Sequence, residues 1–567
     1  MAAHYSLGLD FGTNSVRALI VDVRDGRELA SYVWAYSFGK AGIILDNAQP
    51  NLARQHPADY IGGITAAVKQ AREFAAADGE FSPSRIVGIG VDTTGSTPIP
   101  VDANGDPLSL SPPFATRPDA MAWLWKDHTS YEEAEEITAL AARERPAYLA
   151  KCGGRYSSEW FWAKLLHCAR VAPEVFEASH TWVELADWVP ALLTNTAHPT
   201  TLRRGICAAG HKAFYSPAWG GYPDLEFLAR LHPGLARVRR TLPNRCATIA
   251  EAAGGLSAEW AKRLGLPPEI PVAVGAFDAH LGAIGAGIGE GTLIKIIGTS
   301  TCDIMISPLQ RELCDVPGLC GIVPESVLPD FYGLEAGQSA VGDIFNWWVG
   351  GIKPGGDELG SHENLTLAAA KLQPGQSGLL GLDWHNGNRT ILVDPRLSGL
   401  ILGLSLHSTP AEIYRALIES TAFGARVIAE RFEEFNVPVK RVVNCGGIAN
   451  RNPLVMQIYA DVLNRPVVIS RSTQTCALGA AIAGAVVAGA ERGGHTSYPK
   501  AIAAMTGVLE TVYQPIPAHV AVYDDLYRLY RTLHDNFGEL GQSNRADSLA
   551  VVMKRLLDVR DRTRSAA

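Results

Sequence analysis

A strand–turn–strand pattern occurs twice in this 567-residue chain, and the recurrence constrains the architecture more than any other feature. Leu7–Asp22 reads LGLDFGTNSVRALIVD, two apolar runs about a glycine-containing turn, and Leu293–Ser307 repeats the plan as LIKIIGTSTCDIMIS. The turns Gly12-Thr13 and Gly298-Thr299 divide the chain nearly in half. Glycine lets the backbone turn tightly and present its amide N–H groups, and the hydroxyl that follows adds a donor. Two such hairpins face to face make a cradle for the phosphates of a nucleotide. The expected fold is α/β, with two lobes from a duplicated domain and an interlobe cleft.

Length supports the same reading, because a chain this long exceeds a single core. The glycine-rich Gly285–Gly291 (GAGIGEG) suits a hinge, which predicts lobes over 1–288 and 289–567. A net charge of −8 argues against a nucleic-acid binder. Near the end, Lys554, Arg555, Arg560, Arg562 and Arg564 are interleaved with Asp558 and Asp561, which reads as a solvated helix face. Nine cysteines without a CxxC pair suit a reducing compartment better than a disulfide framework or a zinc site. No charged-then-apolar leader precedes Leu7. The longest apolar run, Cys476–Ala490 (CALGAAIAGAVVAGA), is too short to span a bilayer. Its small residues predict a buried, closely packed helix. These features together predict a cytoplasmic protein with no membrane or nucleic-acid partner.

Between the hairpins, Pro57–Ala76 has helical character, and Arg85–Asp92 (RIVGIGVD) is a buried strand ending in Thr93-Thr94-Gly95-Ser96. Its expected counterpart in the second half is Asp330–Glu335, followed by Ala336-Gly337-Gln338-Ser339. The aromatic stretch Trp123–Trp188 is read mostly as core, with a few rings available to pack on the C–H faces of a sugar. Pro271–Gly275 is a strand that runs into Ala276-Phe277-Asp278-Ala279-His280 and a helix of small residues. Arg441–Asn444 is a strand that runs into Cys445-Gly446-Gly447-Ile448-Ala449-Asn450, with a helix from about Pro453, and Tyr523–Phe537 is a late amphipathic helix.

Asp10 sits at the end of an apolar strand, where a carboxylate can hold Mg²⁺ or bond the N–H groups of its own turn. Thr13, Asn14, Ser15 and Arg17 offer donors to a transferring phosphoryl group, although Arg17 also fits an exposed strand position. Asp278 begins a helix, where it can cap the first turn or accept the proton of an attacking hydroxyl. Gly446 and Gly447 permit close approach of a flat ring such as adenine, with Asn450 as a polar anchor.

Taken in order, DFGT, VDTTGS, GAFDAH, IIGTST, GLEAGQSAVGD, CGGIAN and CALGAA resemble the FGGY carbohydrate kinases. LWKDHTSYEEAEEIT (124–138), YSSEWFWAKLLH (156–167), ADWVPALL (186–193) and GHK (210–212) are of the type found in the ribulose-phosphorylating members. The resemblance runs from residue 7 to about 535. It implies two RNase H-like lobes of the actin-type ATPase fold, ATP in the cleft, and transfer of phosphate to the 5-hydroxyl of L-ribulose or a related ribulose. Asp10 then matches the Mg²⁺-associated aspartate and Asp278 the catalytic base. Gly12, Thr13, Asn14 and Arg17 fall to the first phosphate loop, and Gly298, Thr299 and Gln338 to the second phosphate region. Gly446, Gly447 and Asn450 match the adenosine loop, and Gly95, Lys212, Asp278 and Glu335 the sugar site. Position 95 is glycine here, whereas a slightly larger residue is also found in the family, which bears on sugar selectivity. A homodimer would suit the family. Two other readings are an FGGY kinase for another pentulose or a polyol, and an actin- or chaperone-like conformational ATPase.

Overall fold

The computed structural model describes residues 3–354, 356, 360–538 and 549–565. The strand Tyr5–Phe11 lies at the centre of a seven-stranded sheet, antiparallel to Ser15–Asp22 and parallel to Ile86–Thr93. Side chains alternate across a strand, so the two faces of Tyr5–Phe11 have different work to do. Tyr5, Leu7, Leu9 and Phe11 enter a core shared with Ile64 and Val68 of the helix Pro57–Ala75. Ser6, Gly8 and Asp10 take the other face. There the Ser6 hydroxyl donates to the Ala481 carbonyl at 2.6 Å.

That second face receives Thr475–Ala488, the small-residue helix anticipated from sequence. Contact is backbone to backbone. A Cβ at Gly8 would lie 1.9 Å from the Ala477 carbonyl oxygen, and one at Gly90 1.8 Å from that of Ala480. Gly88 meets the Gly484 carbonyl in the same way. The helix therefore lies flush on the two parallel strands with its N-terminus pointing toward Asp10 and Asp92. A helix N-terminus favours negative charge nearby.

The second sheet runs Gly321–Pro324, Phe331–Ala336, Thr301–Pro308, Thr292–Ile297, Arg441–Cys445, Val467–Ser470, Val508–Tyr513. It repeats the plan of the first: a central hairpin, an antiparallel third strand on one side and a parallel strand on the other. One sequence expectation is corrected here. Phe331–Ala336 pairs antiparallel with the second strand of its hairpin, so its equivalent is Glu28–Ala35. The equivalent of Ile86–Thr93 is Arg441–Cys445, each running parallel to the first strand of its hairpin. Both candidate strands end in polar turns, and only pairing direction separates them.

The two sheets share a core. Leu19 and Val21 from the first hairpin, Leu281 and Ile284 from the helix Asp278–Gly285, and Ile294, Ile304 and Val443 from the second sheet all pack about the Ala477–Ala485 helix. Gly285 approaches the Thr475 carbonyl closely, and Gly287 and Gly291 then take positive φ as the chain crosses to the second sheet. The last helix, Leu549–Ser565, is not simply solvated. Lys554 pairs with Asp394 at 2.8 Å, and Asp558 with Arg396. The side chains of Arg560, Arg562 and Arg564 lie outside the described residues. Among the described residues, no helix is long and apolar enough to cross a membrane.

Candidate active site

Three neighbouring strand ends bring three carboxylates together. Asp10 and Asp92 are direct partners across the parallel strands, and Ala276–Phe277 runs parallel along Asp92 and Thr93 before Asp278 opens its helix. Carboxyl ends of strands are where α/β sheets gather ligands. Asp10 is largely enclosed but keeps some exposure, and Arg17, its partner across the hairpin, reaches one carboxylate oxygen at 3.2 Å. Arg17 is thus paired within the hairpin through one guanidinium nitrogen while its side chain keeps 31% exposure.

Burial raises the Asp10 carboxyl above its usual range, with Arg17 opposing the shift. Asp278 is pushed up to about 7 by burial and by the charge of Asp10, against the N–H of Ala279, which donates to its Oδ1 at 2.6 Å. That bond is to the next residue only, and Phe277 occupies the formal cap position. A carboxylate poised near neutrality at a helix start has the acidity expected of a general base.

The turn at Gly12-Thr13 is held by hydrogen bonds. The Gly12 N–H donates to the Ser15 carbonyl at 3.0 Å, and the Thr13 carbonyl accepts from the Gln55 amide at 2.7 Å. Trp125 donates its indole N–H to the Thr13 hydroxyl at 3.0 Å, so one ring of the aromatic stretch braces this turn while packing on Ile43, Ala53 and Leu124. Asn14 extends its amide to the Ala41 carbonyl, bracing a neighbouring loop.

The second turn is held from behind. The Thr299 carbonyl accepts from the N–H groups of Val341 and Asp343 at 2.8 and 3.1 Å, and that of Gly298 from Gly342 at 3.1 Å. Gly446, at φ 97°, sits against the Ile297 carbonyl, where a Cβ would lie only 2.4 Å away. A helix then begins at once with Gly447, and the Asn450 amide donates to the Gly446 carbonyl. The structure thus brings Gly298, Thr299, Gly446, Gly447 and Asn450 into one region.

Gln338 is held by partners within the protein. Its amide N–H₂ donates to Asp383 and to the Thr421 carbonyl, and its oxygen accepts from Lys295 at 2.9 Å. With both ends of the amide engaged, the side chain braces the turn.

The four sugar-site candidates meet across the lobes. Lys212, from a helix inserted in the first half, lies 3.2 and 3.3 Å from the two carboxylate oxygens of Glu335, from the second sheet. Trp160 and Phe277 present ring faces to the Lys212 ammonium, and the Tyr156 hydroxyl donates to the Lys212 carbonyl. Burial works against a charged Glu335, yet the Lys212 ammonium beside it, with Arg389, holds it far below the usual carboxylate range. Burial keeps both histidines neutral, with His280 lowered to about 4. His211 Nε2 lies 3.1 Å from His280 Nε2 and 3.0 Å from the Ser326 hydroxyl, which completes a hydrogen-bonded bridge between the lobes.

Gly95 faces Phe277 so closely that a Cβ would lie 2.0 Å from ring carbons. The aromatic ring fills the space that a larger residue at position 95 would use. Its loop is fixed by two residues that sequence reasoning passed over. The buried Lys164 ammonium donates to the carbonyls of Ser96, Trp123 and Leu124, while Glu184 accepts from the Ser96 hydroxyl and the Thr97 N–H. Asp92 was also missed. Its position in VDTTGS, at the end of a buried strand as Asp10 is, was the available signal.

Comparison with known proteins accords with this geometry. Residues 5–285 match the N-terminal domain, and residues 293–488 the C-terminal domain, of the FGGY family of carbohydrate kinases. A ribulokinase from Vibrio parahaemolyticus is 42% identical over 555 residues, covering 94% of this chain and 96% of that protein. A ribulokinase from Shouchella clausii is 40% identical over 576 aligned positions, covering 99% of each. The crystal structure of xylulose kinase from Rhodospirillum rubrum matches with a TM-score of 0.76 at 25% identity, covering 94% of this chain and 99% of that one. With both family domains in sequence order and relatives of this similarity along nearly its whole length, the chain belongs to the FGGY family of carbohydrate kinases.

Proposed function

We propose that this carbohydrate kinase transfers the γ-phosphoryl group of ATP to the 5-hydroxyl of L-ribulose, forming L-ribulose 5-phosphate in L-arabinose catabolism. The observation that carries the reading is Asp278, raised to about 7, placed beside the interlobe pair Lys212–Glu335. The names of the full-length relatives support ribulose as the acceptor.

In this reading the sugar lies among Gly95, Lys212, Asp278 and Glu335. Lys212 donates to hydroxyl or carbonyl oxygens and Glu335 accepts from hydroxyls, so a polyol bridges the pair and draws on both lobes. Asp278 accepts the proton of the attacking hydroxyl as the phosphoryl group moves in line. The amides and hydroxyls of Gly12-Thr13 and Gly298-Thr299 hold the phosphate oxygens, with adenosine against Gly446, Gly447 and Asn450. Around Asp10 the donor set is carboxylate oxygen, which fits Mg²⁺. Bound there with ATP, the ion supplies charge neutralisation on the phosphates. The hinge is assigned to Gly285–Gly291 between lobes of 1–288 and 289–567, where Gly287 and Gly291 have positive φ. Closure there excludes water and limits idle ATP hydrolysis.

The test is ADP release by the wild-type enzyme with L-ribulose, D-ribulose, D-xylulose, L-fuculose and glycerol as acceptors. L-Ribulose should give the highest kcat/KM. Preference for another acceptor would move the substrate and leave the fold assignment standing.

A further inference from the structure

Asp92 is the one carboxylate of the three that the proposed mechanism does not use, and its surroundings are unusual. Its side chain is fully buried, no N–H or hydroxyl donor among the described residues reaches either oxygen, and the polar group within hydrogen-bonding reach is the Asp10 carboxyl. It lies directly across the parallel register from Asp10, and the strand on its other side leads straight into Asp278. By strand parity Asp92 shares the sheet face of Gly88 and Gly90, beyond the N-terminus of the Thr475–Ala488 helix. The cation that faces Asp10 and Asp92 is Arg17, which is engaged with Asp10. A buried acid whose close polar partner is a second acid, with a third beside them, is an arrangement that a core avoids unless a proton or a cation sits between the carboxylates.

We propose that Asp92 is an oxygen donor to the divalent cation of the kinase reaction, sharing with Asp10 a site at the ends of the two parallel strands. The inference rests on the kinase reading above and adds a residue to it. The donors are all oxygen, as hard cations require, and they come from strands locked in register, so their separation is fixed before the ion arrives. Asp92 contacts the ion directly or through one of the waters that Mg²⁺ retains. Asp10, the more accessible of the two, faces the nucleotide side, and Asp92 holds the ion from beneath.

The experiment uses Mn²⁺ alone as the probe, titrated into the full-length protein and followed by the loss of the free-ion signal in electron paramagnetic resonance. Asp92→Asn keeps the shape of the side chain and removes its charge. The expected result is an increase of tenfold or more in the Mn²⁺ dissociation constant for Asp92→Asn and for Asp10→Asn, with an unaltered circular dichroism spectrum. A folded Asp92→Asn protein that binds Mn²⁺ within twofold of wild type overturns the proposal, and would show that Asp92 acts as a neutral acid positioned against Asp10. Anomalous diffraction from wild-type crystals soaked in Mn²⁺ provides a test that needs no variant. The ion should lie on an Asp92 oxygen or one bridging water away, and a greater separation overturns the assignment. Sugar phosphorylation by the wild-type enzyme separates the two levels. If L-ribulose is phosphorylated and Mn²⁺ ignores Asp92, only this inference falls, whereas an enzyme that phosphorylates no sugar takes the kinase reading down with it.

Discussion

The two central hairpins differ in how they treat an acid–base pair close to the turn. Each carries an acid and a base as direct partners across the hairpin: Asp10 with Arg17 in the first, Asp303 with Lys295 in the second. In the second lobe the pair is sealed. Both side chains are fully buried, Lys295 lies 2.7 and 2.9 Å from the two Asp303 oxygens, and Gln338 and Thr301 complete the shell of the ammonium. In the first lobe the pair is open, the Arg17 and Asp10 side chains keeping 31% and 14% exposure, and two more carboxylates, Asp92 and Asp278, stand beside it. In one hairpin the pair is a sealed strut behind its turn. In the other it stays open within a cluster of acids, where the proposed mechanism needs a cation and a proton acceptor.

If that contrast is right, the same kind of change should hurt activity on one side and stability on the other. The largest effect is expected at the base: Asp278→Asn should lower kcat by roughly a hundred- to ten-thousand-fold with little change in melting temperature. Loss of less than tenfold would remove Asp278 from the chemistry. In the second lobe, Lys295→Ala leaves a buried carboxylate without its partner and should cost about 3–5 kcal/mol of stability, read by denaturant unfolding. Asp10→Asn in the first lobe should instead stay within about 1 kcal/mol of wild type, because its pair is partly solvated. Equal destabilisation by the two changes would erase the distinction drawn above.

A third variant tests the shared core. Gly90→Ala places a methyl 1.8 Å from the Ala480 carbonyl oxygen and should cost about 1–3 kcal/mol, since neither the strand nor the helix backbone can retreat. An unchanged melting curve would mean that the helix rides loosely on the first sheet.

The pH profile gives a smaller, graded effect. Asp278 must be ionised to accept a proton and its carboxyl is raised to about 7, so kcat/KM should fall about tenfold per unit as pH drops below that value. An acidic limb centred near pH 4 would show that burial and Asp10 do not act on the base as described. The smallest change is expected at Gly95→Ala, where the new methyl must displace the Phe277 ring and should alter sugar preference by about tenfold or less, measured as relative kcat/KM.

Local pattern carried much of this molecule. Both hairpins, the buried helix of small residues and the start of the helix at Asp278 stand where alternation, glycine and composition place them. What sequence did not reveal depends on pairing between distant segments. Phe331–Ala336 and Arg441–Cys445 are both apolar strands ending in polar turns, and nothing local says which runs parallel to the hairpin. Gln338 stood in a suggestive motif, but its use depended on Lys295, Asp383 and Thr421, which are far away in the chain. Trp125 was one aromatic among many until the fold set its N–H against Thr13. Asp92 sat in view within VDTTGS, and only the register with Asp10 makes it conspicuous.

The flush seat of the Thr475–Ala488 helix on Gly8, Gly88 and Gly90 has a consequence for the independence of the two halves. A segment of the second half completes the interior of the first, so a chain cut between the halves would leave one product with an open glycine floor and the other with an apolar rod. By sequence the helix belongs to one half, and by contact it belongs to both.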